Sequence, residues 1–181
     1  RSFLKNFGFI DCENVRDALI DMYDCNPTFS ELKKKLYIAA YNLNRGKTEY
    51  FSVDTHPHMH VVDAICMSIS IPFVASTKPY NGMIYIDGGT KEITPLEPFI
   101  GKPAHKVVSF TLRNEEKYIE KINSLFEYAS TFLNRILDFR IDPYAHMKIK
   151  HIPVTTGDFN IFKFNMSHDD KLRMYLHGFN Q

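Results

Sequence analysis

A carboxylate at the end of a strand is a group that can bind or react, and Asp87 is placed as one. It closes the run Ile84-Tyr85-Ile86 and is followed at once by Gly88 and Gly89. Ile and Tyr are β-formers with nothing polar between them, which predicts a buried strand. The two glycines predict a tight turn, because they accept backbone angles that other residues resist. Asp87 would then sit at the carboxyl end of a strand, the edge at which open α/β sheets bind ligands. Asp-Gly is also an ordinary turn dipeptide, so these six residues alone leave a plain turn and a site both open.

Other side chains carry chemistry in principle. Three histidines alternate in His56-Pro57-His58-Met59-His60. In an extended segment, which Pro57 favours at His56, they would share a face and could hold zinc or copper. No carboxylate or Cys in the local pattern completes a known metal spacing. A polar loop leading into a helix accounts for the three, and no metal or other cofactor is expected. Ser68 and Ser70 carry hydroxyls. Neither lies in a glycine-flanked elbow, and no His or Lys is placed by local spacing to activate one. Cys12, Cys25 and Cys66 are odd in number and match neither a zinc spacing nor a Cys-x-x-Cys pair. They read as reduced, mostly buried thiols of a cytoplasmic compartment, with Cys66 as packing inside an apolar helix.

The elements that must position these groups follow from periodicity. Val15, Ala18, Leu19 and Met22 predict a helix over 13–24, ended by Asn26-Pro27. Thr28-Phe29-Ser30-Glu31 has the form of a capping box. Leu36–Leu43 is nearly continuous in apolar residues, as in a strand buried on both faces; Asn44–Lys47 is a turn, and Thr48–Val53 returns antiparallel. Val61–Ser70 reads as a helix stopped by Pro72. After the Asp87 strand, Thr94–Pro98 is irregular, and Lys106–Leu112 is another strand. A stripe of apolar residues predicts one long helix over 115–138, with core packing preferred to membrane binding because its polar face is of mixed charge. His151–Thr156 and Ile161–Phe164 read as strands, and Ser167 caps a last helix whose Leu172, Tyr175, Leu176 and Phe179 face inward and which Gly178 ends. The class is α/β, a layered, largely parallel sheet flanked by helices, in a single domain over 1–181.

The 181 residues are enough for one domain with a core, and a net charge of +1 offers no basic face for nucleic acid. The longest apolar stretch, Val61–Ala75, is broken by Asp63 and Pro72 and is too short to span a bilayer. Residues 1–10 lack the apolar segment of a signal peptide. The chain opens on Arg1-Ser2-Phe3 without a Met, so a piece of a longer protein is expected.

The stretch from Thr28 to Phe99 resembles the patatin-like phospholipases. The family's Thr-Phe-x-x-Leu opening corresponds to Thr28–Leu32, and its strand-turn-strand to Leu36–Val53. The helix of form Asp-Ala-x-x-x-Ser-x-x-x-Pro is Asp63-Ala64…Ser68…Pro72, and Tyr-x-Asp-Gly-Gly is Tyr85-Ile86-Asp87-Gly88-Gly89. The tail from Phe164 to Phe179 also resembles the family's final helix. The resemblance implies a lipid acyl hydrolase of phospholipase A type, working through a Ser-Asp dyad without a metal. Asp87 would be the general base, and Gly88 and Gly89 would border the substrate, leaving no side chains to block an ester carbonyl. The implied partners are a phospholipid or other acyl-ester lipid and a transient, peripheral contact with a membrane surface.

Two departures stand out. Thr94 precedes Pro95 where the family often has Asn, a position read as structural. More important, none of the eight glycines opens a Gly-x-Ser-x-Gly, the family's nucleophile motif, and its glycine-rich oxyanion loop is absent too. Both belong to the family's amino-terminal half. The expectation is a carboxyl-terminal portion of a longer hydrolase, inactive alone, with an amino-terminal segment of the same protein as its partner. The alternative is a catalytically incomplete relative that binds lipid or a partner.

Overall fold

The computed structural model describes residues 8–77, 79–113, 118–137, 142–155 and 166–180. Its strands and helices are β1 (Gly8–Ile10), α1 (Cys12–Tyr23), β2 (Ile38–Asn42), β3 (Lys47–Phe51), α2 (Val61–Ser68), β4 (Phe73–Ala75) and β5 (Tyr85–Asp87). Then come β6 (Val108–Arg113), α3 (Leu125–Leu137), β7 (Lys150–Thr155) and α4 (His168–Phe179). The class is α/β, as expected. β1 pairs with β4 and β6 with β7, both in parallel, whereas β2 runs antiparallel to β3 on one side and to β5 on the other. The sheet that carries Asp87 is therefore the antiparallel one.

That sheet does not stop at β5. On the edge away from β2, the Asp87 amide donates to the Ser70 carbonyl at 3.0 Å, and the Thr77 hydroxyl donates to the Tyr85 carbonyl at 2.7 Å. These bonds tie β5 to the residues on either side of β4, and β4 in turn pairs with β1. A Cβ on Gly8 would lie 2.2 Å from the Ala75 carbonyl carbon, so the β1–β4 approach requires glycine there. Between α2 and β4 the chain turns sharply at Ile71-Pro72-Phe73-Val74. The Ile71 carbonyl accepts the Val74 amide at 3.1 Å, with Pro72 second and Phe73 third at φ 64°. Pro72 suits the second turn position, but a positive φ on an aromatic residue is strained.

The core lies between α2 and the β2–β3–β5 sheet. Ala64 and Met67 on α2 meet Ala40, Phe51 and Tyr85, all buried. The Phe51 and Tyr85 rings meet edge to face with centroids 5.3 Å apart, an arrangement that adds to the area they bury. At the far end of the sheet is a polar knot. Buried Asn42 donates to Glu49 at 3.2 Å, Arg45 to Glu49 at 2.9 Å and the Tyr85 hydroxyl to Glu49 at 2.7 Å. Burial raises the Glu49 carboxyl, but the bonds from Tyr85 and Arg45 outweigh it and the net shift is downward. Burial and the Glu49 carboxylate push the Tyr85 hydroxyl up to about 12, so it stays a donor.

Several expected elements are shorter or face differently. Leu36, Leu43 and Val53 lie outside β2 and β3 and are exposed. In α1 Cys12 is buried and Val15, Arg16, Leu19 and Ile20 are half-buried, whereas Ala18 and Met22 are exposed; Arg16 pairs with Asp63 on α2 at 2.9 Å. The long helix expected over 115–138 begins only at Leu125. Its start is a local signal inside the apolar stripe: the Ser124 hydroxyl accepts the Glu127 amide at 3.1 Å, and the Glu127 carboxylate accepts the Asn123 amide at 2.6 Å. Leu133 of that helix is buried, but Leu125, Phe132 and Ile136 are exposed, so core packing accounts for only part of the stripe. In α4, Leu172, Tyr175, Leu176 and Phe179 are exposed rather than inward, and the cap is Asn180, not Gly178. The strand expected at Ile161–Phe164 lies outside the described residues. Among the described residues no helix is long and apolar enough to cross a membrane.

Candidate active site

β5 ends at Asp87 because Gly88 begins a single 3-10 turn, Gly88–Thr90. The Asp87 carboxylate caps this turn, its Oδ1 accepting the Gly89 amide at 2.7 Å. With its own amide bound to Ser70, the half-buried residue is fixed at both backbone and side chain. β2 flanks it directly, Ala40 facing Asp87 across the antiparallel pair. Gly88 is buried against β2 as well. A Cβ there would lie 2.5 Å from the Ala39 carbonyl oxygen and 2.8 Å from its carbon. The sequence suggested that Gly88 keeps side chains away from an ester. The geometry adds a stricter reason: any larger residue would push β5 off β2.

Beside this turn is a cleft of about 360 Å3, lined by Tyr37, Ile38, Ala39, Ile65, Ser68, Ile69, Gly88, Gly89, Glu92, Ile93 and Pro95. It is at the lower end of the size range of small-molecule sites and, like them, mostly apolar with few polar groups. The two glycines are thus part of a real hollow. Ser68 reaches the lining from the last turn of α2. Ser70 does not: it is buried and donates its hydroxyl to the Cys66 carbonyl at 2.7 Å. The role of Ser70 in this geometry is to tie the end of α2 to β5.

Glu92 is the lining residue that sequence reasoning passed over. Its amide donates to the Gly88 carbonyl at 3.1 Å, and its carboxylate accepts the Tyr50 hydroxyl from β3. Burial, then Glu92 itself, hold the Tyr50 hydroxyl far above the ordinary tyrosine range, so it remains a donor. Burial and the same carboxylate also raise the Tyr144 hydroxyl. The signal that could have found Glu92 is its spacing, one turn beyond Gly88. Nearby, Thr94 is buried and donates to the Asp142 carboxylate at 2.7 Å, which gives the residue before Pro95 the structural part expected of it.

The histidines do not converge. His56 and His58 border a separate hollow of about 330 Å3 with Met59, Asp63 and Tyr80, while His60 directs Nδ1 to the Asn26 carbonyl at 2.7 Å. His56 packs its ring 4.8 Å from that of Phe51. Among the described residues no group of three or more His, Cys, Asp or Glu could hold a metal ion. The cysteines are free; Cys12 is buried, Cys66 half-buried and Cys25 exposed. Burial pushes the Cys66 thiol up to about 11, which leaves almost no thiolate near neutral pH.

A family model for patatin-like phospholipases matches residues 2–100, a span that includes every residue of the cleft. The chain belongs to the patatin-like phospholipase family. It is 28% identical over 167 residues to an uncharacterized protein of Acanthamoeba polyphaga mimivirus, covering 83% of this chain and 53% of that protein. It is 30% identical over 69 residues to a probable lipid hydrolase of Invertebrate iridescent virus 6, covering 38% of this chain and 24% of that protein. The chain thus spans about half the length of the first relative and less of the second.

Proposed function

We propose that this patatin-like chain contributes the base and one wall of the acyl site to a lipid acyl hydrolase that works through a Ser-Asp dyad. The observation that carries this reading is Asp87 fixed at a strand end, with the two glycines that follow it lining an apolar cleft. In the reaction, a serine supplied by residues outside these 181 attacks the ester carbonyl carbon while Asp87 accepts its proton. The tetrahedral intermediate collapses, the carbon–oxygen bond to the leaving alcohol breaks, and Asp87 returns the proton to that alcohol. Water then attacks the acyl-serine, with Asp87 again taking a proton, and the fatty acid leaves as the serine is regenerated. The substrates are acyl-ester lipids met at a membrane surface, by a protein acting peripherally from the cytoplasm.

The test uses a longer chain that includes the residues upstream of Arg1. Asp87→Asn should cut esterase activity at least about a hundredfold, the lower end of what a positioned base contributes, with little change in melting temperature. Near-normal activity would reject Asp87 as the base. A fluorophosphonate probe should label the longer protein but not residues 1–181 alone. Peptide mapping should find the adduct on a serine outside this sequence; an adduct on Ser68 or Ser70 would overturn the assignment.

A further inference from the structure

We infer that the cleft beside Asp87 selects acyl esters whose head group has no net negative charge, and that Glu92 is the specificity-determining residue. This rests on the reading of the cleft as the ester site. Among its described lining residues Glu92 is the only charged side chain, and there is no Lys, Arg or His. An anionic head group entering here meets a carboxylate and no counter-charge. Lys35, whose ammonium lies 5.5 Å from the centre of the ring of the lining residue Tyr37, is engaged with Asp54 at 2.5 Å.

The Glu92 charge is also fixed in place. Its backbone is tied to Gly88 at 3.1 Å, and its carboxylate is held from the other side by the Tyr50 hydroxyl. It cannot swing into water to relieve repulsion without giving up that bond. Like charges a few ångströms apart at a partly buried site repel strongly enough to cost about tenfold or more in binding. A zwitterionic or uncharged head group pays no such cost, and a cationic end gains from the same carboxylate. The apolar remainder, Ile38, Ile65, Ile69 and Ile93, suits an acyl chain.

The measurement is fatty-acid release by the longer protein from phosphatidylcholine and from phosphatidylglycerol with identical acyl chains. Each lipid is presented at low mole fraction in micelles of a nonionic detergent, so that surface charge does not differ. The wild type should favour phosphatidylcholine in kcat/KM by about tenfold or more. Glu92→Gln, which keeps an acceptor for Tyr50, should bring that ratio to within about threefold while the melting temperature holds. Tyr50→Phe, which keeps the charge but frees the carboxylate to turn toward water, should give a ratio between those of the wild type and Glu92→Gln. Equal hydrolysis of both lipids by the wild type, or an unchanged ratio in Glu92→Gln, overturns the inference. Labelling by the fluorophosphonate probe without hydrolysis of either lipid also overturns it but leaves the serine chemistry standing. Absence of both labelling and hydrolysis removes the hydrolase reading and the head-group inference together.

Discussion

At the scale of single residues, Gly88 and Glu49 are each held by close contacts that a substitution would break. Gly88→Ala places a carbon 2.5 Å from the Ala39 carbonyl oxygen. The β5–β2 pairing must open to admit it, at a cost of about 1–3 kcal/mol or more. A thermal melt of the variant should show that loss; a melting temperature equal to the parent's would mean that the two strands are not packed this closely. Glu49 should matter differently. Its side chain is 14% exposed, and charge-assisted bonds of this kind contribute about 1.5–3 kcal/mol. The folded state holds its carboxyl below the ordinary 4.5, so the unfolded chain takes up the proton first as pH falls. The stabilisation is complete above the unfolded value and is lost as pH drops through the folded one. Glu49→Gln should therefore be less stable at pH 7 and should lose less further stability on acidification below about pH 4.5. Melting curves at pH 7 and pH 3.5 check this, and parallel losses in both proteins would contradict it.

Among the elements, α3 shows how a local signal overrides a longer pattern. The apolar stripe runs through Ile119 and Ile122, yet the helix begins after Ser124, where the hydroxyl and the Glu127 carboxylate satisfy amides at the end of the helix. Ser124→Ala removes one of those acceptors and should cost about 1 kcal/mol. Native-state hydrogen exchange would register this as faster exchange in the first turn of α3 and little change in β2. Uniform acceleration across the protein would instead mean that α3 opens only with the whole fold. Asp87 is also held through the end of α2, where the Ser70 carbonyl accepts its amide at 3.0 Å just before Pro72 and the strained Phe73 turn the chain.

For the molecule as a whole, burial is uneven. The α2–β2–β3–β5 layer is closed, whereas β6 carries Val108, Phe110 and Leu112 on one face, with Phe110 68% and Leu112 71% exposed. Their partners on the paired strand are Lys150, Ile152 and Val154, so the apolar face extends across both strands. Parallel strands normally have both faces covered, and an open apolar face favours association. In residues 1–181 by themselves, Phe110→Thr with Leu112→Thr should reduce self-association in light scattering while the melting temperature changes little, since Thr is also a good strand former. Unchanged scattering would show that another surface is responsible.

The sequence by itself determined the strand that ends in Asp87, the glycine turn after it, α2 stopped before Pro72, and the antiparallel β2–β3 pair. Each is set by neighbours within about ten residues, where periodicity and turn chemistry act. It also carried the family resemblance and showed that Gly-x-Ser-x-Gly is absent from these residues. Only the tertiary structure decided which faces are buried. Apolar spacing marks a stripe but not whether anything packs on it, hence the exposed Phe132, Tyr175 and Phe179. It also decided that Gly88 is needed by Ala39, 49 positions earlier in the chain, and that Glu92 is held over the cleft by Tyr50. Contacts at such separations leave no mark on local sequence, because they depend on which strands the fold sets side by side.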